Sequence, residues 1–257
     1  MLQLQLIEKV KLLSTEDADI SSVLMYGSFT KGEGDRFSDI EFYVFYKKDF
    51  PHEEWVNKVC RTLLFFRNEF GTEVAIFENM IRGEFHFLPV EEVQIVRTWE
   101  GFISFEYYKE MILVDKENLL SEALDPVDKK RPEHSSQDSI NWIYMSLLNN
   151  LLMTKGLIER GELAHAQQSF QFIQRYLLCL IRIEVGADNH WESPTKRIEF
   201  EIPADWYDVY QRSVPALTRN SLKDSFNHCI NVLNTCFKNI PVPDNLKEIV
   251  AKTGQIE

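Results

Sequence analysis

Two short stretches carry the side chains in this chain that are suited to chemistry. Gly27-Ser28 follows directly on the apolar run Val23-Leu24-Met25-Tyr26, and Asp39-Ile40-Glu41 opens the run Asp39 to Phe45. Glycine lets the backbone turn sharply at the end of a strand. A turn or helix starting at Ser28 then presents N–H groups and a hydroxyl that suit an anionic phosphate. Lys31 and Arg36 add positive charge, and Gly32 and Gly34 let the loop fold closely. Along an extended Asp39–Phe45 the period of two puts Asp39 and Glu41 on one face, about 6.6 Å apart at Cα, with Ile40, Phe42 and Val44 on the other. Two carboxylates beside an apolar layer need a counter-charge, and a divalent cation with hard oxygen preferences, Mg²⁺, supplies one while sharing its remaining sites with phosphates. The chemistry this implies is phosphoryl transfer.

Ligands for two ions and a group to deprotonate an attacking hydroxyl call for a third carboxylate. Glu73, at the start of Glu73-Val74-Ala75-Ile76-Phe77, and Glu84, in Gly83-Glu84-Phe85-His86-Phe87-Leu88, are the candidates. Both stretches read as strands, joined through a short connection that includes Asn79. His86 shares the face of Glu84, where a structural hydrogen bond is its expected use.

The pattern Gly-Ser, spacer, acidic-hydrophobic-acidic resembles the DNA polymerase β-like nucleotidyltransferase superfamily. More narrowly, Met25 to Asp35, Ser38-Asp39-Ile40-Glu41-Phe42-Tyr43, Gly71-Thr72-Glu73-Val74 and Ile81-Arg82-Gly83-Glu84-Phe85-His86-Phe87 are similar to lincosamide nucleotidyltransferases. The second acidic position is Glu41 where many superfamily members have Asp, a feature the lincosamide group shares. This resemblance implies transfer of a nucleoside monophosphate from a Mg²⁺-bound nucleoside triphosphate, ATP by default, to a hydroxyl of a lincosamide antibiotic, with pyrophosphate released. It also implies two Mg²⁺ ions held by Asp39, Glu41 and Glu84, with Glu84 as general base, and nucleotide contacts from Gly27, Ser28 and Lys31. A helical C-terminal domain that helps form the acceptor cleft, and a homodimer, are further implications. Two other readings use the same motif: an aminoglycoside nucleotidyltransferase, and a regulatory nucleotidyltransferase module of a toxin–antitoxin pair. Retention of the carboxylates and the long second half weigh against the last.

At 257 residues and 44% hydrophobic, the chain can bury a sizeable core. A formal charge of −12 speaks against nucleic acid as a partner and fits a small acceptor. No apolar run reaches bilayer length and no signal-like segment opens the sequence, so no membrane role and a cytoplasmic location are expected. Cys60, Cys179, Cys229 and Cys236 include no Cys-x-x-Cys pair and read as buried reduced thiols within or beside helices.

The elements that must position these residues fall into two parts. The expected class is α+β: an N-terminal nucleotidyltransferase domain over 1–130, with a mixed β-sheet flanked by helices, and a C-terminal α-helical bundle over 131–257. In the first part the periodicity predicts a helix over Leu4 to Leu13, strands near residues 23, 40, 74 and 85, and a helix across Glu53 to Phe70 with Trp55, Val59, Leu63 and Phe66 on one face. Met111 to Val114 offers a fifth strand. Asp125 to Pro132, charged and bracketed by prolines, reads as the connection. Beyond it, helices are predicted over Gln137–Glu159, Glu162–Val185, Ala204–Ser213 and Leu222–Phe237, giving a bundle of four or five. Asp188, His190, Trp191 and Glu192 read as a solvent loop with an anchoring Trp.

Overall fold

The computed structural model describes residues 1–100, 108–127, 133–187 and 189–256. The chain divides into two units, Met1–Pro132 and Glu133–Glu257. Of the expected connection, residues 128–132 lie outside the described residues, as does Asp188 of the expected loop.

Apolar runs of strand length build the first unit. β1 (Ile20–Tyr26), β2 (Ile40–Tyr46), β3 (Thr62–Arg67), β4 (Glu73–Phe77), β5 (Arg82–Pro89) and β6 (Ile112–Asp115) form one sheet in the order β3-β4-β5-β2-β1-β6. β2 and β5 run parallel and the other neighbours antiparallel, so the sheet is mixed. Alternation sorts the side chains by face. Val23, Ile40, Phe42, Val44, Ala75, Phe77 and Phe85 form one apolar layer against Leu6, Ile7 and Val10 of α1 (Leu2–Glu16) and Trp55, Val56 and Val59 of α2 (His52–Val59). Each large side chain fully buried here contributes about 1.5–3 kcal/mol. On the opposite face, Leu24 and Phe45 are covered by Val93 and Val96 of a 3₁₀ segment, Val90–Trp99. After the short α3 (Tyr108–Met111) and β6, Leu120, Ala123 and Leu124 of α4 (Leu119–Leu124) complete this cover.

The helix expected across Glu53 to Phe70 is half helix and half strand. α2 stops where Cys60 turns extended, and β3 follows as an edge strand paired with β4. The side chain of Asn68 accepts from the N–H groups of Phe70 and Thr72, and Gly71 sits at φ +82°, closing a hairpin. A helical period and a strand period are hard to separate in a short apolar run such as Leu63-Leu64-Phe65-Phe66. The turn residues Asn68 and Gly71 between two apolar runs were the signal that decides it. The strand at Ile112–Asp115 is present at the sheet edge beside β1.

The second unit is helical. α5 (Gln137–Arg160) and α6 (Leu163–Val185) form a long hairpin, followed by α7 (Ile198–Glu201), α8 (Ala204–Arg212), α9 (Arg219–Thr235) and α10 (Asp244–Thr253). Ser136 caps α5 by accepting from the Ser139 N–H. At its other end Gly161, at φ +80°, closes the helix with bonds from Gly161 N–H to Ile158 and from Glu162 N–H to Leu157. Ile143, Leu147 and Leu151 of α5 pack with Phe170, Ile173 and Leu177 of α6 and Leu222 and Phe226 of α9. α10 was not read individually from the sequence, although Pro243-Asp244 ahead of Leu246 and Val250 is a helix-start pattern.

The turn after α6 is more buried than a solvent loop. His190 is 3% exposed and lies 2.7 Å from Glu201. Arg182, fully buried, donates to Glu201 and to the carbonyls of Pro194, Ala187 and Lys196, so it ties the turn to α6 and α7. Trp191 stacks on His134. Among the cysteines, Cys179 and Cys229 are buried, whereas Cys60 and Cys236 are half-buried, the first because it follows α2 rather than lying within a helix. No helix among the described residues is long and apolar enough to cross a membrane.

Candidate active site

Strand register brings two acidic positions, Glu41 and Glu84, to one end of one sheet face. β1 and β2 pair Tyr26 with Glu41, and β2 and β5 pair Glu41 with Glu84, so Tyr26, Glu41 and Glu84 stand side by side across three strands. The next row on the same face is Leu24, Tyr43 and His86. Asp39 precedes the first residue of β2 and lies one step beyond this row, half-buried with its side chain 32% exposed.

Arg82 joins the acidic groups. Its guanidinium donates to Asp39 Oδ2 at 2.5 Å and, through its other terminal nitrogen, to Glu84 Oε1. Partial burial works against the charge of Arg82, but Glu84 and Asp39 outweigh it and hold the group above its ordinary value. A cation thus bridges two carboxylates of the sequence-derived site.

Gly27 explains the position of the third. The residue sits at φ +83°, and a Cβ built on it would lie 1.6 Å from Glu41 Oε2. The Glu41 carboxylate therefore occupies the space that any other residue at position 27 would fill. Directly after Gly27 a short 3₁₀ turn, Ser28–Lys31, leaves the sheet, and Thr30 Oγ1 donates to the Gly27 carbonyl at 2.8 Å. The side chain of Lys31 points into solvent and Ser28 is half-buried beside Gly27. The structure thus gathers Gly27, Ser28, Asp39, Glu41 and Glu84, with Lys31 at the outer end of the turn.

Sequence reasoning missed Tyr26 and Tyr43 as part of this cluster. Tyr26 Oη donates to Glu84 Oε2 at 3.3 Å and lies 2.9 Å from His86 Nε2, and the His86 ring stacks on Tyr43 with centroids 4.2 Å apart. Burial and the nearby charges of Glu41 and Glu84 push the Tyr26 phenol well above its usual range, so it remains a neutral donor. Tyr43 is raised for similar reasons, burial first and Glu84 second. Burial pushes His86 below its ordinary value, with Glu84 opposing. The structural hydrogen bond expected of His86 is present, and it reaches Glu84 through Tyr26. The signal available in the sequence was parity: Tyr26 and Tyr43 fall on the acidic face once the register is known.

Glu73, the alternative third carboxylate, lies elsewhere. It pairs across strands with Phe85, whose side chain belongs to the apolar face, and its carboxylate engages Arg67 at 3.0 Å and His52 at 2.8 Å.

The helical unit matches, over residues 136–252, the family model described as lincosamide nucleotidyltransferase-like, C-terminal domain. No curated protein matches the chain. Among solved structures, the aminoglycoside 6-adenyltransferase from Bacillus subtilis is similar at 10% identity and a TM-score of 0.39, over 98% of this chain and 89% of that one. The likeness to a described family thus lies in the helical unit, which is similar to the lincosamide nucleotidyltransferase-like C-terminal domain.

Proposed function

We propose that the protein transfers a nucleoside monophosphate from a nucleoside triphosphate to a hydroxyl of a lincosamide antibiotic. The single observation that carries the chemistry is the clustering of Asp39, Glu41 and Glu84 at one end of a sheet face, with Gly27 making room for the Glu41 carboxylate. The lincosamide acceptor is favoured by the description of the family that the helical unit matches. We assign the chemistry to residues 1–130 and acceptor recognition to 131–257.

The donor set fits a divalent metal: hard carboxylate oxygens only, half-buried, with two of the three, Asp39 and Glu84, already drawn to one positive group. Asp39, Glu41 and Glu84 would hold Mg²⁺, two ions in this reading. When bound, the metal neutralises phosphate charge and lowers the pKa of the acceptor hydroxyl. The remaining work belongs to the chain. Ser28 and Lys31 hold the triphosphate, ATP by default. Glu84 takes the proton of the attacking hydroxyl. Tyr26, donating to Glu84 Oε2, fixes the direction of that carboxylate, whose other oxygen accepts from Arg82. The acceptor oxygen forms a bond to the α-phosphorus while the bond from that phosphorus to the bridging oxygen of pyrophosphate breaks, and pyrophosphate carries away the electron pair. Positioning and charge neutralisation provide most of the acceleration.

The test is pyrophosphate release with Mg²⁺ and each nucleoside triphosphate in turn, with lincomycin, clindamycin and a set of aminoglycosides as acceptors. Release that depends on a lincosamide supports the reading. Release with aminoglycosides alone moves the acceptor to that class, and silence with every acceptor removes the antibiotic from the proposal.

A further inference from the structure

Arg82 is the unexplained member of the cluster. It lies on β5 two residues before Glu84, so the two side chains share a face, and its guanidinium forks between Asp39 and Glu84. Those are two of the three carboxylates assigned above to the metal. One carboxylate oxygen on each side is therefore engaged: Oδ2 of Asp39 and Oε1 of Glu84. The other oxygen of Glu84 faces Tyr26. A divalent cation held by the same pair would stand within a few ångström of the guanidinium, and two positive groups sharing the same carboxylates repel each other.

The arrangement also satisfies a physical need. Carboxylates gathered at the end of a strand face repel one another and lose solvation, and a resident positive group offsets both costs. Arg82 does this with a long, partly exposed side chain, 44% accessible, rather than with a buried and fully packed one. Its hold is therefore reversible. A buried arginine in the same chain, Arg182, shows the contrast: it is fully covered and bonded to three carbonyls as well as to a carboxylate.

We infer that Arg82 is a resident counter-cation that keeps Asp39 and Glu84 together and charge-balanced until a divalent metal displaces it, so that metal binding and the Arg82 fork compete. This inference rests on the metal reading of the site. Two consequences follow. Metal affinity is set below what the three carboxylates alone would give, because the incoming ion must first break two charge-assisted bonds. Displacement also frees Glu84 Oε1, which is the oxygen needed as a base, so Glu84 becomes competent only when the metal is in place.

The experiment is Mn²⁺ binding to the full chain, followed by calorimetry and by the spin-resonance signal of free Mn²⁺, for wild type, Arg82→Gln, Arg82→Lys and Asp39→Asn, with thermal unfolding of each variant alongside. Competition requires Arg82→Gln to bind Mn²⁺ about tenfold more tightly, equivalent to about 1.4 kcal/mol. Arg82→Lys keeps a charge but not the two-branched grip, and falls between. Unchanged or weaker binding in both Arg82 variants overturns the inference and makes Arg82 a structural clamp. If Arg82→Gln fails to fold, the lysine variant decides alone. Loss of binding in Asp39→Asn shows that the metal reading stands whatever Arg82 does. Absence of binding in wild type and in both Arg82 variants removes the metal reading, and the inference with it.

Discussion

Replacing Gly27 by alanine separates the roles that this residue combines. Its φ of +83° with ψ of −154° belongs to a region that side-chain-bearing residues almost never adopt, a strain of about 1–3 kcal/mol. The added Cβ would lie 1.6 Å from Glu41 Oε2, whereas ordinary contact begins at 3.4 Å, so the carboxylate must retreat by about 1.8 Å. A misplacement of about 1 Å at a reacting centre costs about 10²-fold. Gly27→Ala is therefore expected to lose at least about 10²-fold in kcat/KM, or about 2.7 kcal/mol of transition-state stabilisation, beyond any loss of stability. Gly32→Ala supplies the comparison. Gly32 also has positive φ, +69°, but nothing lies within 4 Å of its Cβ position, so it pays only about 1–2 kcal/mol of backbone strain. The assay is metal-dependent pyrophosphate release at saturating and limiting acceptor, with thermal unfolding for both variants. Equal activity losses in Gly27→Ala and Gly32→Ala would refute the claim that Gly27 is there to seat Glu41.

Other expectations can be checked with the same preparations. Glu84→Gln is expected to lose about 10²–10³-fold in kcat, while Glu73→Gln stays near wild type in rate and loses some thermal stability through its Arg67 and His52 contacts; the reverse order would move the base to the other sheet face. Arg182→Met leaves the carbonyls of Pro194, Ala187 and Lys196 and the Glu201 carboxylate without their donor, at a cost of about 3–5 kcal/mol in urea unfolding, and a change near zero would contradict the turn's dependence on it. His86 and His228 are both held below their ordinary value by burial, so the stability they contribute is fully present above an unfolded pKa of about 6.5 and is lost as pH falls through their lower folded values. Unfolding midpoints should therefore drop between pH 7.5 and 5.5, less steeply in His228→Gln, and a slope unchanged by that substitution would be against it.

Much of the acidic face was legible because strand parity is a strong local rule. Along Asp39 to Phe45 that rule put Glu41 on one side and Ile40, Phe42 and Val44 on the other, as the strand shows. Which strands lie beside it was not legible, since neighbours are chosen by long-range pairing. Only the register of β2 against β5 shows that Glu84 stands next to Glu41 and that Glu73, on the adjacent β4, faces the apolar layer. Arg82 was passed over because an arginine at a strand start reads as solvated until the position of Asp39 is known. The misassigned stretch at Thr62–Arg67 failed for a related reason: an edge strand with exposed Leu63, Leu64 and Phe66 shows no clean alternation, and its hairpin with β4 decides its form. The long helices α5 and α6 were readable because their apolar period runs over many turns and each ends at a glycine in the left-handed region.

The most direct test of nucleotidyl transfer at this face is the mass of clindamycin after incubation with Mg²⁺ and nucleoside triphosphates, using wild type, Asp39→Asn and Glu84→Gln proteins that fold alike. Expected is a drug heavier by one nucleoside monophosphate with wild type and unmodified drug with both variants. Modified drug from either variant at the wild-type rate would contradict the assignment of these carboxylates, and unmodified drug from wild type would contradict the acceptor.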